Sequence, residues 1–188
     1  MDLVFIAAVS APVLLILAVF LYNNLVRKKN DVENALGSID AVLKQRYDLI
    51  PNLISSVKQY MKHESDLLSK ITAMRTRAMG EPLSENDMQA LDAEMSRSLA
   101  KLMVSVENYP ELKASDNFLQ LQGSLNEVEE RLSAARRNFN RVVTAYNDAV
   151  EMFPSNFVAS VMRLKRKSVF QISEAERAAP DVKALFAE

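Results

Sequence analysis

The sequence of 188 residues contains no Cys, no Trp, three Gly and a single His. The missing Cys excludes disulfides and thiolate metal ligands, and one His leaves few schemes for a transition-metal site or a general base. Three Gly are too few for the glycine-rich loops that bring backbone N–H groups close to phosphates. A formal net charge of −1 is unlike that of a nucleic-acid-binding protein. We therefore predict a protein without enzymatic activity, cofactor, metal or nucleic-acid partner.

What the sequence does contain is a long apolar run near its start. From Leu3 to Val26 there are 24 residues without a charged side chain. The part from Leu3 to Tyr22 would span roughly 30 Å as a helix, which is the hydrocarbon thickness of a bilayer. A cleaved signal peptide would need a basic start and a small-residue cleavage site, and neither is present. We therefore predict an uncleaved transmembrane helix in residues 1–26.

Basic residues lie on one side of this segment only. Arg27, Lys28 and Lys29 follow it directly, whereas Asp2 is the one charged residue before it. The excess of basic residues predicts that the rest of the chain is cytoplasmic and that the N-terminus is outside. The part after residue 26 therefore has a formal net charge of zero, one unit above the value for the whole chain. We interpret the three basic residues as a local contact with anionic lipid headgroups.

The remainder is typical of long helices, because apolar residues recur at alternating steps of four and three. Fourteen such positions run from Val32 to Ala78, twelve of them apolar, and the pattern passes through Pro51 without a change of phase. We predict a helix that is continuous with the membrane span, kinked at Pro51, and ended near Gly80. A true break at Pro51 is the alternative, and it would add a fourth long helix.

Two further helices are predicted downstream. Ser84 has the position of a helix N-terminal cap, and eleven apolar positions in steps of three and four extend from Phe118 to Phe153. The fold class is therefore all-α, a membrane helix continuing into an elongated, antiparallel, coiled-coil-like bundle of three to four long helices. The bundle is assigned to residues 27–160, and residues 161–188 are predicted to be a basic amphipathic segment and a flexible acidic tail.

Several short stretches resemble the signature of the LemA family. The match runs from the predicted span to about Phe170, with conservative departures at Leu36 and Phe139. The stretches that carry it are Tyr22-Asn23-Asn24-Leu25-Val26-Arg27, Asn34-Ala35, Ile39-Asp40, Leu43-Lys44, Arg46-Tyr47-Asp48-Leu49-Ile50-Pro51-Asn52-Leu53, Val57-Lys58, Tyr60, His63-Glu64, Glu107-Asn108-Tyr109-Pro110-Glu111-Leu112-Lys113-Ala114, Phe118, Leu121-Gln122, Ala135-Arg136-Arg137, Tyr146-Asn147 and Phe153-Pro154-Ser155-Asn156.

The resemblance implies a bacterial, single-span protein of the inner membrane with a cytoplasmic helical domain and no established catalytic activity. The family includes a magnetosome-membrane member, and its genes often lie near those of membrane-associated proteases. Such a protease is therefore a possible partner.

Six polar residues of the first predicted helix are candidates for interaction or for setting helix register. Arg46 and Glu64 fall on the apolar seam, where each either makes a specific polar contact or reaches solvent. The other four recur every fourth residue and form either a solvated face or a partner surface: Asp40, Lys44, Asp48 and Asn52.

These features together favour a non-enzymatic, membrane-anchored scaffold or interaction protein. Long heptad seams make self-assembly into a homo-oligomer reasonable. The alternatives are a membrane-remodelling or lipid-organising factor, and an adaptor of a membrane-associated protease.

Overall fold

The computed structural model describes residues 2–80 and 83–170, and the side chains of residues 10–80, 83–84 and 86–170. The prediction of an all-α fold is confirmed, since these residues form six helices and no strand. The predicted acidic tail lies outside the described residues. The helices are α1 (Asp2–Val57), α2 (Ser65–Gly80), α3 (Glu85–Val106), α4 (Pro110–Lys113), α5 (Asp116–Glu151) and α6 (Ser155–Val161).

Helix α1 continues through Pro51, so the alternative of a break at this residue is wrong. A proline has no N–H, and the carbonyl of Tyr47, four residues earlier, therefore loses its usual helical donor. Arg75 of α2 supplies a replacement, because its Nε donates to the Tyr47 carbonyl oxygen at 3.0 Å. The side chain of another helix thus satisfies the backbone group that the proline leaves without a partner.

The prediction that the first helix runs to Gly80 is wrong, because α1 ends at Val57 and α2 begins at Ser65. The connection folds onto Val57, whose carbonyl oxygen accepts from the N–H groups of Tyr60 and Met61. Met61 is buried there, while the predicted seam residue Tyr60 is exposed. This stretch is rich in polar residues and buries little apolar surface as a helix. The contact between Arg75 and Tyr47 also requires α2 to run back along α1.

The chain divides into two compact units. In the described part of the chain, the first unit consists of residues 2–45 and 126–169, and the second consists of residues 46–80, 83–125 and Phe170.

In the first unit, α1 and α5 pack side by side and run in opposite directions. At one end Arg131 donates to the side-chain oxygen of Gln45 at 3.4 Å. At the other end Leu25 shares a buried cluster with Ala149 of α5 and Ala159 of α6. Because the sequence numbers rise along α1 as they fall along α5, the two helices are antiparallel.

In the second unit, the end of α1, the helices α2, α3 and α4 and the start of α5 follow one another around an apolar core. The Ser84 cap is confirmed, since its hydroxyl accepts from the N–H of Asp87 at 3.2 Å. Lys70 of α2 and Glu94 of α3 form an ion pair at 2.7 Å on the surface of the unit. The largest completely buried side chains of this unit are Ile50, Leu53, Met61, Ile71, Met95, Leu102, Leu112 and Phe118.

The predicted seam of α5 is buried along most of its length but fails at its last position. Phe153 lies beyond the end of the helix at Glu151 and is 78% exposed. Pro154 accounts for this end, because the residue before a proline is pushed out of the helical conformation. The chain then turns into α6, so a phenylalanine that the pattern assigned to the core is on the surface.

Candidate functional site

The basic residues predicted at the membrane surface follow the apolar part of α1. Among the described residues, α1 is the one helix long and apolar enough to cross a membrane, and almost none of its apolar window is buried. Residues 10–20 are all exposed, as are Arg27 and Lys29, whereas Lys28 is half-buried. Lys29 pairs with Glu33 one helical turn later at 3.7 Å, which leaves the Lys28 and Arg27 charges nearer to the apolar segment.

A second basic segment lies in the same unit and is fastened to α5 by two adjacent side chains. The Tyr146 hydroxyl donates to the carbonyl oxygen of Lys165 at 3.0 Å. The side-chain amide of Asn147 bonds both backbone groups of Lys167, each at 2.9 Å. Burial raises the pKa of the Tyr146 phenol, because the anionic form would be poorly solvated there. These bonds hold residues 165–167 in one conformation.

The start of the basic segment is fixed by the end of α6. Arg163 has a positive φ of 52°, its N–H donates to Ser160, and the N–H of Leu164 donates to Ala159. This pair of bonds is the Schellman arrangement, in which the left-handed position usually holds glycine. Leu164 also packs on the cluster that contains Leu25. The two basic segments of the first unit therefore lie at the same end of it.

Arg46 lies in the second unit and is buried rather than turned to solvent. Its Nη1 is 3.0 Å from Oδ1 of Asp92 and 3.0 Å from the hydroxyl of Ser96, both on α3. Each partner of the ion pair is 4% exposed. A buried pair of this kind is sensitive to helix register, because a shift of α1 against α3 would leave both charges without compensation.

The remaining predicted candidates are not brought together with Arg46. Glu64 is half-buried in the connection between α1 and α2, beside Leu67 of α2 and Val104 of α3. The four residues of the predicted polar stripe are all exposed on α1: Asp40, Lys44, Asp48 and Asn52.

The geometry offers little for metal binding or acid–base catalysis. Within the described part of the chain, no three His, Cys, Asp or Glu residues are grouped so that they could hold a metal ion. The single His63 is exposed in the connection after α1. The buried charges of Arg46 and Asp92 are directed at each other.

Sequence reasoning missed three partners that define these sites. Asp92 directly follows the seam residue Leu91, so an acidic residue beside an apolar seam was the available signal for the partner of Arg46. Pro51 implied an unsatisfied carbonyl, but nothing in the local pattern pointed to Arg75 as its donor. The same holds for Asn147 and the backbone of Lys167, which are 20 residues apart.

The sequence model of the LemA family matches residues 35–184. This is most of the chain. The chain belongs to the LemA family. It is 31% identical over 163 residues to Protein LemA of Metamycoplasma hominis, an alignment that covers 87% of this chain and 74% of the relative.

More distant LemA relatives are named as magnetosome proteins. The chain is 23% identical over 175 residues to Magnetosome protein MamQ 2 of Paramagnetospirillum magneticum, covering 80% of this chain. It is 22% identical over 174 residues to Magnetosome protein MamQ of Magnetospirillum gryphiswaldense, covering 79% of this chain. In both cases the alignment spans 64% of the relative. Together with the exposed apolar helix, these relatives fit a membrane-associated LemA protein.

The signature stretch of residues 46–53 in this chain has a structural explanation. It contains Arg46, which pairs with α3, and Tyr47, whose carbonyl accepts from α2 because Pro51 cannot donate to it. Ile50 and Leu53 fill the core between these contacts. This stretch, one of those that carry the family resemblance, therefore joins three helices of the second unit.

Proposed function

We propose that this LemA family protein is a single-span membrane protein with its helical part in the cytoplasm, where it acts as a non-catalytic scaffold. The observation that carries the proposal is the exposed apolar surface of residues 10–20 on a helix that continues directly into packed structure. An apolar helix surface of this length is costly in water and favourable in a bilayer. Arg27 and Lys29, exposed just beyond it, support the cytoplasmic side for the packed part.

The scaffold role is supported by how the ionisable groups are used. The buried Arg46 and Asp92 compensate each other, and the half-exposed Lys70 and Glu94 are paired between α2 and α3. These charges therefore fix the packing of helices rather than converge on a substrate. We also propose that copies of the chain associate in the membrane. Anchoring by the apolar helix confines the copies to one plane, and this raises their local concentration.

Single-cysteine labelling tests the topology, because the chain has no Cys of its own. A cysteine at position 2 should react with a membrane-impermeant maleimide in intact spheroplasts. The variant Ala41→Cys, at an exposed position of α1, should react only after the membrane is permeabilised. The reversed pattern would contradict the orientation, and recovery of both variants in the soluble fraction would contradict membrane insertion.

Self-association has its own test in detergent and in native membranes. Disulfide crosslinking of the Ala41→Cys variant, with mass photometry of the purified chain, should reveal a defined oligomer. A strictly monomeric particle at all concentrations, together with no crosslink in membranes, would remove self-association from the proposal.

A lipid-organising role is the second candidate, and it is favoured by the two basic segments at one end of the first unit. The segments are residues 27–29 and 163–167, and both lie near Leu25. Anionic lipids would gather around such a cluster, and salt would weaken the effect. Full-length chain in vesicles of phosphatidylcholine with phosphatidylglycerol should then change vesicle shape in electron micrographs. Unchanged vesicles at every protein density would exclude this role.

A further inference from the structure

The turn from α5 into α6 exposes an unusual amount of apolar surface. Met152 is 62% exposed, Phe153 78%, Phe157 67% and Val161 84%. We call these four residues the elbow surface. Single exposed apolar residues are common on proteins, but four in ten consecutive residues, two of them aromatic, point to a partner that covers them.

Helix α6 has two apolar faces, and the elbow surface includes the outer one. Ala159 is buried against Leu25 of α1, together with Val158 and Met162 beside it. Phe157 and Val161 are one turn apart on the opposite side of the helix and are exposed. Packing within the first unit therefore needs one face of α6 and leaves the other apolar face uncovered.

The two exposed aromatic rings are packed on each other. The centroids of Phe153 and Phe157 are 6.1 Å apart, and the ring planes meet at 82°. This edge-to-face pair is presented outward as one aromatic surface rather than as two independent side chains.

The position of the elbow along α1 identifies its environment. Gln45 lies opposite Arg131, and Leu25 lies in one cluster with Ala149, so the two helices keep their antiparallel register to within two residues over this distance. Continuing that register to the end of α5 at Glu151 places the start of the elbow close to Leu21 and Tyr22. These residues end the apolar part of α1, where aromatic side chains favour the headgroup region.

Basic residues adjoin the elbow on its C-terminal side. Arg163, Lys165 and Arg166 are exposed within five residues of Val161. Tyr146 holds the backbone of Lys165 and Asn147 holds that of Lys167, so this basic segment stays next to the apolar residues. Aromatic and aliphatic side chains beside a basic cluster are the composition of segments that lie in a bilayer interface and contact anionic headgroups.

We propose that the elbow surface inserts into the headgroup region of the membrane that α1 crosses, with the basic residues 163–167 on the adjacent phosphates. This proposal rests on the proposed membrane span. It makes the first unit a two-point membrane contact, in which the turn from α5 into α6 meets the bilayer beside α1. A second copy of the chain is the less suitable occupant, because four side chains are far fewer than the about 20–30 residues a side of a stable protein interface.

Single tryptophans test the proposal in the full-length chain, which has no Trp of its own. The variants are Phe153→Trp in the elbow, Phe20→Trp in the apolar part of α1, and Val104→Trp at a position of α3 that is 72% exposed. Each is reconstituted into vesicles of phosphatidylcholine and phosphatidylglycerol that contain brominated acyl chains, which quench nearby tryptophans. A parallel titration with aqueous acrylamide measures exposure to water.

We expect strong lipid quenching for Phe20→Trp, clear lipid quenching with a blue-shifted emission for Phe153→Trp, and none for Val104→Trp. Bromine near the carbonyl end of the acyl chain should quench Phe153→Trp more than bromine near the methyl end. Quenching of Phe153→Trp should also fall when phosphatidylglycerol is omitted, because the basic residues then lose their headgroup partners.

The outcomes separate the two proposals. If Phe20→Trp is quenched by lipid but Phe153→Trp behaves as Val104→Trp does, the elbow insertion is overturned and the membrane span stands. If Phe20→Trp is not quenched, the span is overturned, and the elbow proposal that rests on it is overturned as well. If Phe153→Trp is shielded from acrylamide only at high protein density and is not quenched by lipid, a second copy covers the elbow instead.

Discussion

Replacing Arg46 by Met removes one partner of a buried ion pair and leaves the other charge in the core of the second unit. Both side chains are 4% exposed and their charged atoms are 3.0 Å apart. The loss of one partner of such a pair typically costs about 3–5 kcal/mol, because the remaining charge is neither solvated nor compensated. We expect Arg46→Met and Asp92→Leu each to lower the free energy of unfolding by an amount in this range.

The double variant Arg46→Met with Asp92→Leu should recover most of that loss. It removes both charges and replaces them with apolar side chains that can fill the space, so we expect a stability within about 1 kcal/mol of the native chain. The coupling energy of the double-mutant cycle should then exceed about 3 kcal/mol.

Urea unfolding in detergent micelles, followed by far-ultraviolet circular dichroism, measures these differences. The matched control is the exposed pair of Lys29 and Glu33 at 3.7 Å, for which the same cycle should give less than about 1 kcal/mol. If the Arg46 and Asp92 losses simply add in the double variant, the buried pair does not stabilise the packing of α1 on α3 and our account of Arg46 is wrong.

Three further predictions concern single contacts. Arg75→Met should lower the free energy of unfolding by about 1–3 kcal/mol, because the Tyr47 carbonyl loses its donor. Adding Pro51→Ala should remove most of that loss, because alanine restores a backbone N–H. An undiminished loss in the double variant would contradict the role of Arg75 as a replacement donor. Arg163→Gly should raise the free energy of unfolding by up to about 1 kcal/mol, because glycine adopts the positive φ without strain, whereas glycine elsewhere in the basic segment should not raise it. The hydrogen bond and charge of Lys70 hold the pKa of Glu94 below its ordinary value, so this pair stabilises the fold above the unfolded pKa and the contribution is lost as the pH falls through the folded pKa. The acid-side change in stability should be small, weaker in salt and reduced in Lys70→Met. An unchanged titration of Glu94 by NMR in that variant would contradict this role of Lys70.

The helical fold class and the start of α3 were predictable because they depend on local signals. The Ser84 cap and its backbone partner Asp87 are only three residues apart. The passage of α1 through Pro51 was also predictable, because the apolar phase on its two sides is the same. The spacing of apolar residues indicates which face of a helix is buried, and this spacing can be read from neighbouring residues in the sequence.

The failures arise where spacing alone does not decide the structure. Tyr60 and Glu64 fit the seam by spacing alone, although the polar residues around them bury too little to hold a helix, and Met61 is buried instead. Phe153 fits the α5 seam, but Pro154 ends the helix before it. Neither the donor for Tyr47 nor the partner of Arg46 could be read from spacing, because both contacts join distant parts of the chain.

Less of the candidate site than of the fold could be predicted from the sequence. The positions of Arg27, Lys28 and Lys29 beside the apolar part of α1 follow from the sequence, whereas the second basic segment depends on Asn147 and Tyr146 to fold back next to them. The homo-oligomer and the membrane-associated protease partner stay predictions, as do the interaction roles of the exposed stripe that begins at Asp40.

The bond from Arg75 to the Tyr47 carbonyl carries an evolutionary consequence. A homologue with any residue other than proline at the position of Pro51 regains a backbone donor, and selection for an arginine at the position of Arg75 is then relaxed. Substitutions at these two sites, which are 24 residues apart in sequence, should therefore covary among homologues.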